Sequence, residues 1–522
     1  MSKTQAELLN LELAWKRVKL DIPDRVFTRN PFEVKLIEYD LAGYLNDLDG
    51  QIRNDTYNPK PANICDVPKG GWLVRPGLIL SAEDRITFYA CVGACIPNIY
   101  EALEWSQGVV DFSYEISNEF ENIKWLRNQF RSWTKFRTMS IEKIETGISY
   151  VITTDISNYY ENITIKTLMS DLKDAGVDDN IVNLLSRCLN KWAQSEGKGI
   201  PQGYTPSDLL GKLYLNSVDA NFRAMGYDHM RYADDIRIFC KDEVEAKKAL
   251  VDLTKLLRAR GLNLQSAKTQ IHTSDEARTV IDGIQPVLQP IMEDLNEALG
   301  INNPYFSTTQ VDELLEQMEG NTSVEVLTQA FLEHFIDAKE EDFDKTLFHF
   351  LLKRLGKSKS DIAVAYCLDL LKTHPEETGD ILKYFQSIDV IDQIENLVVE
   401  FLQSEHAVYP YQNYQILEWF SESAQNPSED LLEIVRRKAF DNSHPKYLRV
   451  VSRKLVGEFG TSADLERLES LYSELDDEIE KCDIICCLKN MELTRRNSFL
   501  GRAQHDGKLV QIASNLVRSG AI

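Results

Sequence analysis

Asp234 and Asp235 are adjacent in the stretch Arg231-Tyr232-Ala233-Asp234-Asp235-Ile236-Arg237-Ile238-Phe239-Cys240, between two short apolar, β-prone runs. The pattern over 229–240 predicts a β-hairpin whose tight turn carries both acids. Carboxylates at a hairpin tip suit a hard divalent cation, and a pair of such cations supports phosphoryl transfer. An Asp-Asp in a solvated turn is ordinarily only a turn, so the pair alone leaves both readings open. A third acid, Asp155, ends the β-branched run 148–154. Burying a carboxylate there costs free energy unless something pairs it, and a metal ion is a natural partner. Tyr160, five residues on, is placed to close over whatever that metal holds.

Two further stretches offer groups for a phosphorylated ligand. In Gly197-Lys198-Gly199-Ile200-Pro201-Gln202-Gly203 the glycines let backbone approach a ligand closely, and Gln202 offers donors and acceptors. The loop has neither Walker spacing nor GxGxxG, which excludes a P-loop or a Rossmann fingerprint. Residues 63–80 read as strand, turn and strand, and bring Lys69 and Arg75 onto one hairpin. That is either a clamp for a triphosphate or a surface hairpin with solvated charges.

The elements that must position these groups follow from periodicity. The order over 148–272 is strand, helices, hairpin, helix, strand, which an antiparallel sheet backed by helices satisfies as an α+β domain. An amphipathic helix is expected over 4–20 and a helical run to about residue 48, containing Tyr39 and Tyr44. Residues 81–139 read as helical, with Lys124, Arg127, Arg131 and Lys135 on one face and Leu126, Phe130 and Trp133 on another. The aromatic stripe reads as core. The basic one reads as a solvated face or a track for a phosphate backbone.

Composition separates the two halves. Residues 1–280 carry 35 Lys and Arg against 39 Asp and Glu, while residues 281–522 carry 23 against 43. A boundary near residue 280 follows, and the net charge of −24 excludes a generic nucleic-acid coat. Beyond 281 the pattern is amphipathic helix throughout, with Pro375, Pro410 and Pro445 evenly spaced and Pro427 between the last two. Helices starting near 410, 427 and 445, two per period, indicate an α-solenoid of HEAT or tetratricopeptide type, with an irregular bundle as the alternative. The nine cysteines show no zinc spacing and read as small buried hydrophobes. No run of eighteen apolar residues and no signal-peptide core appears, so a reducing cytoplasm and no membrane are expected.

Residues 63–272 resemble the fingers and palm of reverse transcriptases, motif by motif. Asp155 with Tyr160 in Thr-Thr-Asp-Ile-Ser-Asn-Tyr-Tyr is similar to the first catalytic motif, and Gly199-Ile-Pro-Gln-Gly203 with Ser207 and Leu210 to the Pro-Gln-Gly motif. Tyr232-Ala-Asp-Asp235 is similar to the hallmark box, and Gly261-Leu-Asn-Leu with Lys268-Thr269 to the motif after it. Lys69 and Arg75 match the fingers positions more loosely. The resemblance implies a right-hand polymerase: N-terminal helices and fingers over 1–145, palm over 146–280, and an all-α HEAT-like helical repeat domain over 281–522. It implies that Asp155, Asp234 and Asp235 hold two Mg²⁺ ions, and that Tyr160 gates the sugar in favour of deoxynucleoside triphosphates. It further implies that Gln202 and Gly203 contact the nucleotide, that Lys69 and Arg75 neutralise the triphosphate, and that Lys268 is an acid for pyrophosphate departure.

No maturase or endonuclease region is legible, and the Val-Thr-Gly segment of retron enzymes is absent. A palm that passes into acidic helical repeats resembles instead the abortive-infection, AbiK-like reverse transcriptases of bacteria. That implies untemplated synthesis from a tyrosine of the chain itself, single-stranded DNA attached to the protein, a homo-oligomer, and defence against phage. Tyr44 is the first choice among the 21 tyrosines as primer, with a packing role as its alternative. Templated synthesis on a non-coding RNA, and a catalytically idle scaffold, are the other readings.

Overall fold

The computed structural model describes residues 8–23, 25–282, 322–336, 343–388 and 391–522. The start of the expected N-terminal helix, at 4–7, and the opening of the helical region, at 283–321, lie outside the described residues. Two units are formed, and neither is continuous in sequence. The first gathers Met1–Thr28, Leu41–Cys65 and Pro76–Gly283; the second gathers Arg29–Asp40, Asp66–Arg75 and Ile284–Ile522.

Strands β1 (Asn63–Lys69) and β2 (Leu73–Ile79) form the hairpin expected over 63–80, with its turn at Gly70-Gly71-Trp72. The tip of this hairpin, Asp66–Arg75, belongs to the second unit. The first unit is built on four antiparallel strands in the order β4-β5-β3-β6. These are β3 (Tyr150–Asp155), β4 (Asp228–Tyr232), β5 (Asp235–Cys240) and β6 (Gln270–Thr273). Alternation explains the choice: Val151 and Phe239 face a core with Phe112, Phe136, Met230 and Ala277. Helices Ile165–Asp174, Asp179–Trp192, Thr205–Ala224 and Glu243–Ala259 lie where their apolar spacing predicts. Ala82–Leu103 is long and apolar enough to cross a membrane by length and composition, but Asp84 and Arg85 are buried in it beside Phe88, Cys91 and Cys95. It packs against Leu11–Asp21, Asp179–Trp192 and Thr205–Ala224.

The continuous helix expected over 81–139 is not formed. Irregular chain follows Leu103, and the next helix is Gln129–Glu145. The reason is Asp111. Its segment pairs with the outer edge of β4, where Phe112 N–H donates to the Arg231 carbonyl (3.0 Å) and Arg231 N–H to the Val110 carbonyl (2.8 Å). Lys124 and Arg127 therefore lie outside the helix that carries Arg131 and Lys135. The aromatic stripe is not core either: Phe130 is 58% and Trp133 41% exposed, and Phe136 is the ring that enters the core.

In the second unit the helices stack in two rows. Lys345–Lys357, Thr378–Ser387, Pro410–Ser423, Lys446–Phe459, Glu478–Cys487 and Lys508–Ser519 pack successively in one row. Val364–Thr373, Ile391–Gln403 and Glu429–Phe440 pack successively in the other. This is the two-helix repeat read from the prolines, and caps fix where its helices begin. Pro410 opens one helix, the Ser428 hydroxyl caps the next, and Thr461 with Asp464 forms a capping box. Phe32 and Leu36 of the Arg29–Asp40 segment join this core. All nine cysteines are buried free thiols, as their apolar context predicts.

Close packing within the row makes one glycine critical. A Cβ at Gly457 would overlap the Cys487 carbonyl oxygen and Cα, whereas at Gly501 the nearest atom is 3.9 Å away. Gly457→Ala should cost about 1–3 kcal/mol in denaturant unfolding. Gly501→Ala should be neutral or stabilise by up to about 1 kcal/mol.

Candidate active site

The sheet brings the three aspartates together. Asp155 closes β3, Asp235 opens β5, and the two are register partners. Asp234 sits in the two-residue turn between β4 and β5, whose other member, Ala233, has φ of 55°. For alanine that left-handed backbone costs of order 1–3 kcal/mol and needs support from its surroundings. Asn158, in the loop after Asp155, has φ of 46°.

Support comes from a buried charge network that sequence reasoning missed. Arg231 is 1% exposed. Its Nη2 lies 2.8 Å from Asp111 Oδ2, its Nε donates to Asp219 Oδ2 (2.8 Å), and its Nη1 donates to the Ala233 carbonyl (3.3 Å). Lys212 Nζ adds a second cation 2.7 Å from Asp111 Oδ2, and His229 Nε2 sits 3.2 Å from Asp219 Oδ1. Arg231 holds Asp219 below the usual carboxylate range despite its burial. The available signal was charge where apolar residues belong: Arg231 inside a strand, and Lys212 and Asp219 two turns apart on one face of Thr205–Ala224.

Beside this balanced network Asp155, Asp234 and Asp235 are short of cations. Lys268 Nζ donates to Asp155 Oδ2, while Asp155 Oδ1 is buried without a hydrogen-bond partner among the described residues. Burial first, and the charge of Asp155 second, push Asp234 up to about 7. Burial also raises Asp235, with Arg237 opposing it, and the bond to Asp155 raises Lys268. An orphaned carboxylate oxygen among three crowded acids is a donor set that fits divalent metal, the ion class on which reverse transcriptase domains generally depend. Among the described residues, the group whose ligand atoms all lie within 4.8 Å of one another is His349, Glu377 and Asp380 in the second unit, where Lys345 already pairs with Glu377 (2.6 Å).

Tyr160 is tethered. Its hydroxyl donates to Asp208 Oδ1 (2.7 Å), and Asp208 is in turn ion-paired with Arg25, whose Nη1 also donates to Thr205 Oγ1 (3.0 Å). Burial pushes Asp208 up to about 6 against the pull of Arg25. Tyr160 and Gln202 line one cleft of about 290 Å³ with Pro76, Asn158 and Lys198. At Gly203 (φ +93°) the close approach is made by the chain itself: a Cβ would meet the Phe27 ring at 2.8 Å and the Arg25 carbonyl at 3.1 Å. Gly203 is thus required by the backbone at the point where Arg25 and Phe27 approach it. Lys69 and Arg75 are exposed and fall in the second unit, outside the set that the first unit assembles. Tyr44 is half-buried on the helix Leu41–Arg53.

The sheet and its three acids have the form expected of a polymerase palm. A family model described as "Reverse transcriptase (RNA-dependent DNA polymerase)" matches residues 115–329, so the chain carries a reverse transcriptase domain. No curated protein matches the chain. Among solved structures it is similar to apo telomerase from Candida tropicalis truncated from its C-terminal domain (11% identity, 41% of this chain and 50% of that one, TM-score 0.30). Telomerase from Candida albicans in complex with a fragment of telomeric RNA is similar at 11% identity over 70% of this chain and 63% of that one, TM-score 0.32. A partial Cas6-RT-Cas1–Cas2 complex is similar at 18% identity over 49% of this chain and 42% of that one, TM-score 0.29. The chain spans 50%, 63% and 42% of the lengths of these three.

Two outcomes follow from the electrostatics. Arg231→Met removes the cation shared by two buried carboxylates, Asp111 and Asp219, and should cost about 3–5 kcal/mol in denaturant unfolding. Asp234 binds a proton more tightly folded than unfolded, where its carboxyl returns to about 4. Its contribution is therefore present at low pH and lost as pH rises towards 7. In metal-free protein Asp234→Asn should flatten the fall in melting temperature across that window and melt above wild type on its alkaline side.

Proposed function

We propose that this protein is a DNA polymerase of reverse-transcriptase type that serves bacterial defence against phage. In this reading it extends a tyrosine hydroxyl of its own chain with deoxynucleotides, without a template. The observation that carries the polymerase reading is the meeting of Asp155, Asp234 and Asp235 at one end of the palm sheet with too few cations to balance them. The defence reading is supported by the sequence resemblance, in which a palm continues into acidic helical repeats, and by a net charge of −24 that suits weak template binding. Assembly as a cytoplasmic homo-oligomer belongs to the same reading.

In nucleotidyl transfer the attacking hydroxyl oxygen bonds to the α-phosphorus, its proton leaves, and the bond to pyrophosphate breaks. Two Mg²⁺ ions, held by Asp155 and Asp234 with Asp235 beside them, would supply Lewis acidity and charge neutralisation for that exchange. Lys268, which donates to Asp155, would be the acid that protonates the departing pyrophosphate. Tyr160, fixed by Asp208 and Arg25, meets the sugar and excludes a 2′-hydroxyl, and Gln202 contacts the nucleotide. Lys69 and Arg75 are the cations for the triphosphate.

The test uses purified, nuclease-treated protein with Mg²⁺ and labelled deoxynucleotides, with and without added RNA, resolved on denaturing gels before and after proteinase digestion. Label that needs no RNA and migrates with the protein until digestion supports the proposal. Free label that appears only with RNA replaces it with templated synthesis. Asp234→Asn should lower incorporation by roughly a hundred- to a thousandfold. Tyr160→Ala should admit ribonucleotides, and Asp208→Ala should do so more weakly; unchanged sugar preference in both would remove the gate.

A further inference from the structure

Between Asn122 and Ile141 the sequence contains five cations, Lys124, Arg127, Arg131, Lys135 and Arg137, and no carboxylate. In a chain of net charge −24 this is a local reversal of sign. Two of these cations are engaged in holding the fold: Arg127 pairs with Glu115 (3.3 Å), and Lys135 donates to the Gly108 carbonyl (2.9 Å). Lys124 and Arg131 are exposed. Within the same stretch Phe130 and Trp133 lie one helical turn apart and face solvent.

These rings stand beside the catalytic turn. Trp133 meets Tyr232 edge-on at 5.0 Å, and Tyr232 is two residues from Asp234. The Tyr232 hydroxyl donates to Gln129 Oε1 (3.3 Å), which also accepts from Tyr114 N–H (3.0 Å). The start of the helix Gln129–Glu145 is thereby tied to the turn, and Asn128 caps it. Large aromatic rings left in water cost free energy unless a ligand covers them. Rings flanked by Lys124 and Arg131, in a stretch with no carboxylate of its own, complement one occupant well, a polyanion with flat apolar faces.

We infer that Phe130 and Trp133, with Lys124 and Arg131, form a stacking platform for a single-stranded DNA, the product strand leaving the catalytic turn. The identity of the occupant rests on the polymerase reading; the binding itself does not. The acidic remainder of the protein repels a polyphosphate, so the rings carry more of the affinity than the charges do. Stacking contributes about 1–3 kcal/mol per base and does not select sequence, which suits a strand made without a template.

The platform is tested by fluorescence anisotropy of full-length protein with a labelled oligodeoxythymidine of about 15 nucleotides. Phe130→Ala should weaken binding roughly five- to a hundredfold and leave the salt dependence unchanged. Arg131→Ala should lower the salt slope by roughly 0.7. Trp133→Phe should retain most of the affinity, and duplex of the same length should bind more weakly. Phe130 makes no ring contact among the described residues, so its removal leaves the Tyr232 turn intact and melting should not change. Phe130→Ala affinity within twofold of wild type overturns the proposal. So does a changed oligomeric state in Phe130→Ala with unchanged oligonucleotide affinity, which would make this face a contact between copies of the chain. Asp234→Asn should bind the oligonucleotide as wild type does. Binding that depends on Phe130 in a protein that never incorporates nucleotides would sink the polymerase reading and leave the platform standing.

Discussion

A guanidinium buried between two carboxylates and donating to the carbonyl of the Asp-Asp turn is the contact on which the palm depends. Arg231 joins Asp111, from irregular chain, to Asp219, from the helix Thr205–Ala224, and with Ala233 fixes the hairpin against both. Taking such ions out of water costs several kcal/mol each, and a buried pair returns that only when its geometry is good and its remaining groups are satisfied. Here Lys212 supplies the second positive charge, so the two acids and two cations balance. What this arrangement secures is position. The left-handed Ala233 and the placement of Asp234 are set by the Arg231 guanidinium, which both buried acids hold.

The acids on the other side of the turn are treated in the opposite way. Asp155, Asp234 and Asp235 share one exposed ammonium, Lys268, with Arg237 near Asp235, and among the described residues one oxygen of Asp155 has no donor. The same sheet therefore joins a neutralised cluster to an under-neutralised one a residue or two away. The first makes the second affordable in stability, and the second creates the demand for cations that two-metal chemistry uses. The tether Arg25–Asp208–Tyr160 applies the same device to the Tyr160 ring, with a buried acid held by one arginine from outside every recognised motif.

Much of this was legible in the residues. The hairpin tip at Asp234, the strand ending in Asp155, the antiparallel sheet and the two-helix repeat all follow from local periodicity, proline placement and turn chemistry. What was not legible was long-range. Asp111 breaks the helical pattern over 81–139 because its partner is Arg231, far along the chain, and local apolar spacing carries no trace of that pairing. Phe130 and Trp133 read as core because aromatic spacing reports a face and not what covers it. Lys69 and Arg75 match fingers positions by motif, yet their hairpin tip clusters with the helical unit through contacts such as the Tyr409 hydroxyl on the Trp72 carbonyl (3.3 Å). Gly203 looked like a ligand-approach glycine, and the group that approaches it is Phe27.

The account stands or falls on whether the palm carboxylates bind cations as a set. Calorimetric titration of Mn²⁺, a spectroscopically convenient substitute for Mg²⁺, into wild type and Asp155→Asn protein near pH 7 reads this directly. His349→Ala serves as a control for the second acidic group. The prediction is binding in wild type and in His349→Ala with an enthalpy that varies with the buffer, because metal displaces the proton that Asp234 holds. That binding should be lost in Asp155→Asn. Equal affinity and stoichiometry in wild type and Asp155→Asn would contradict the account.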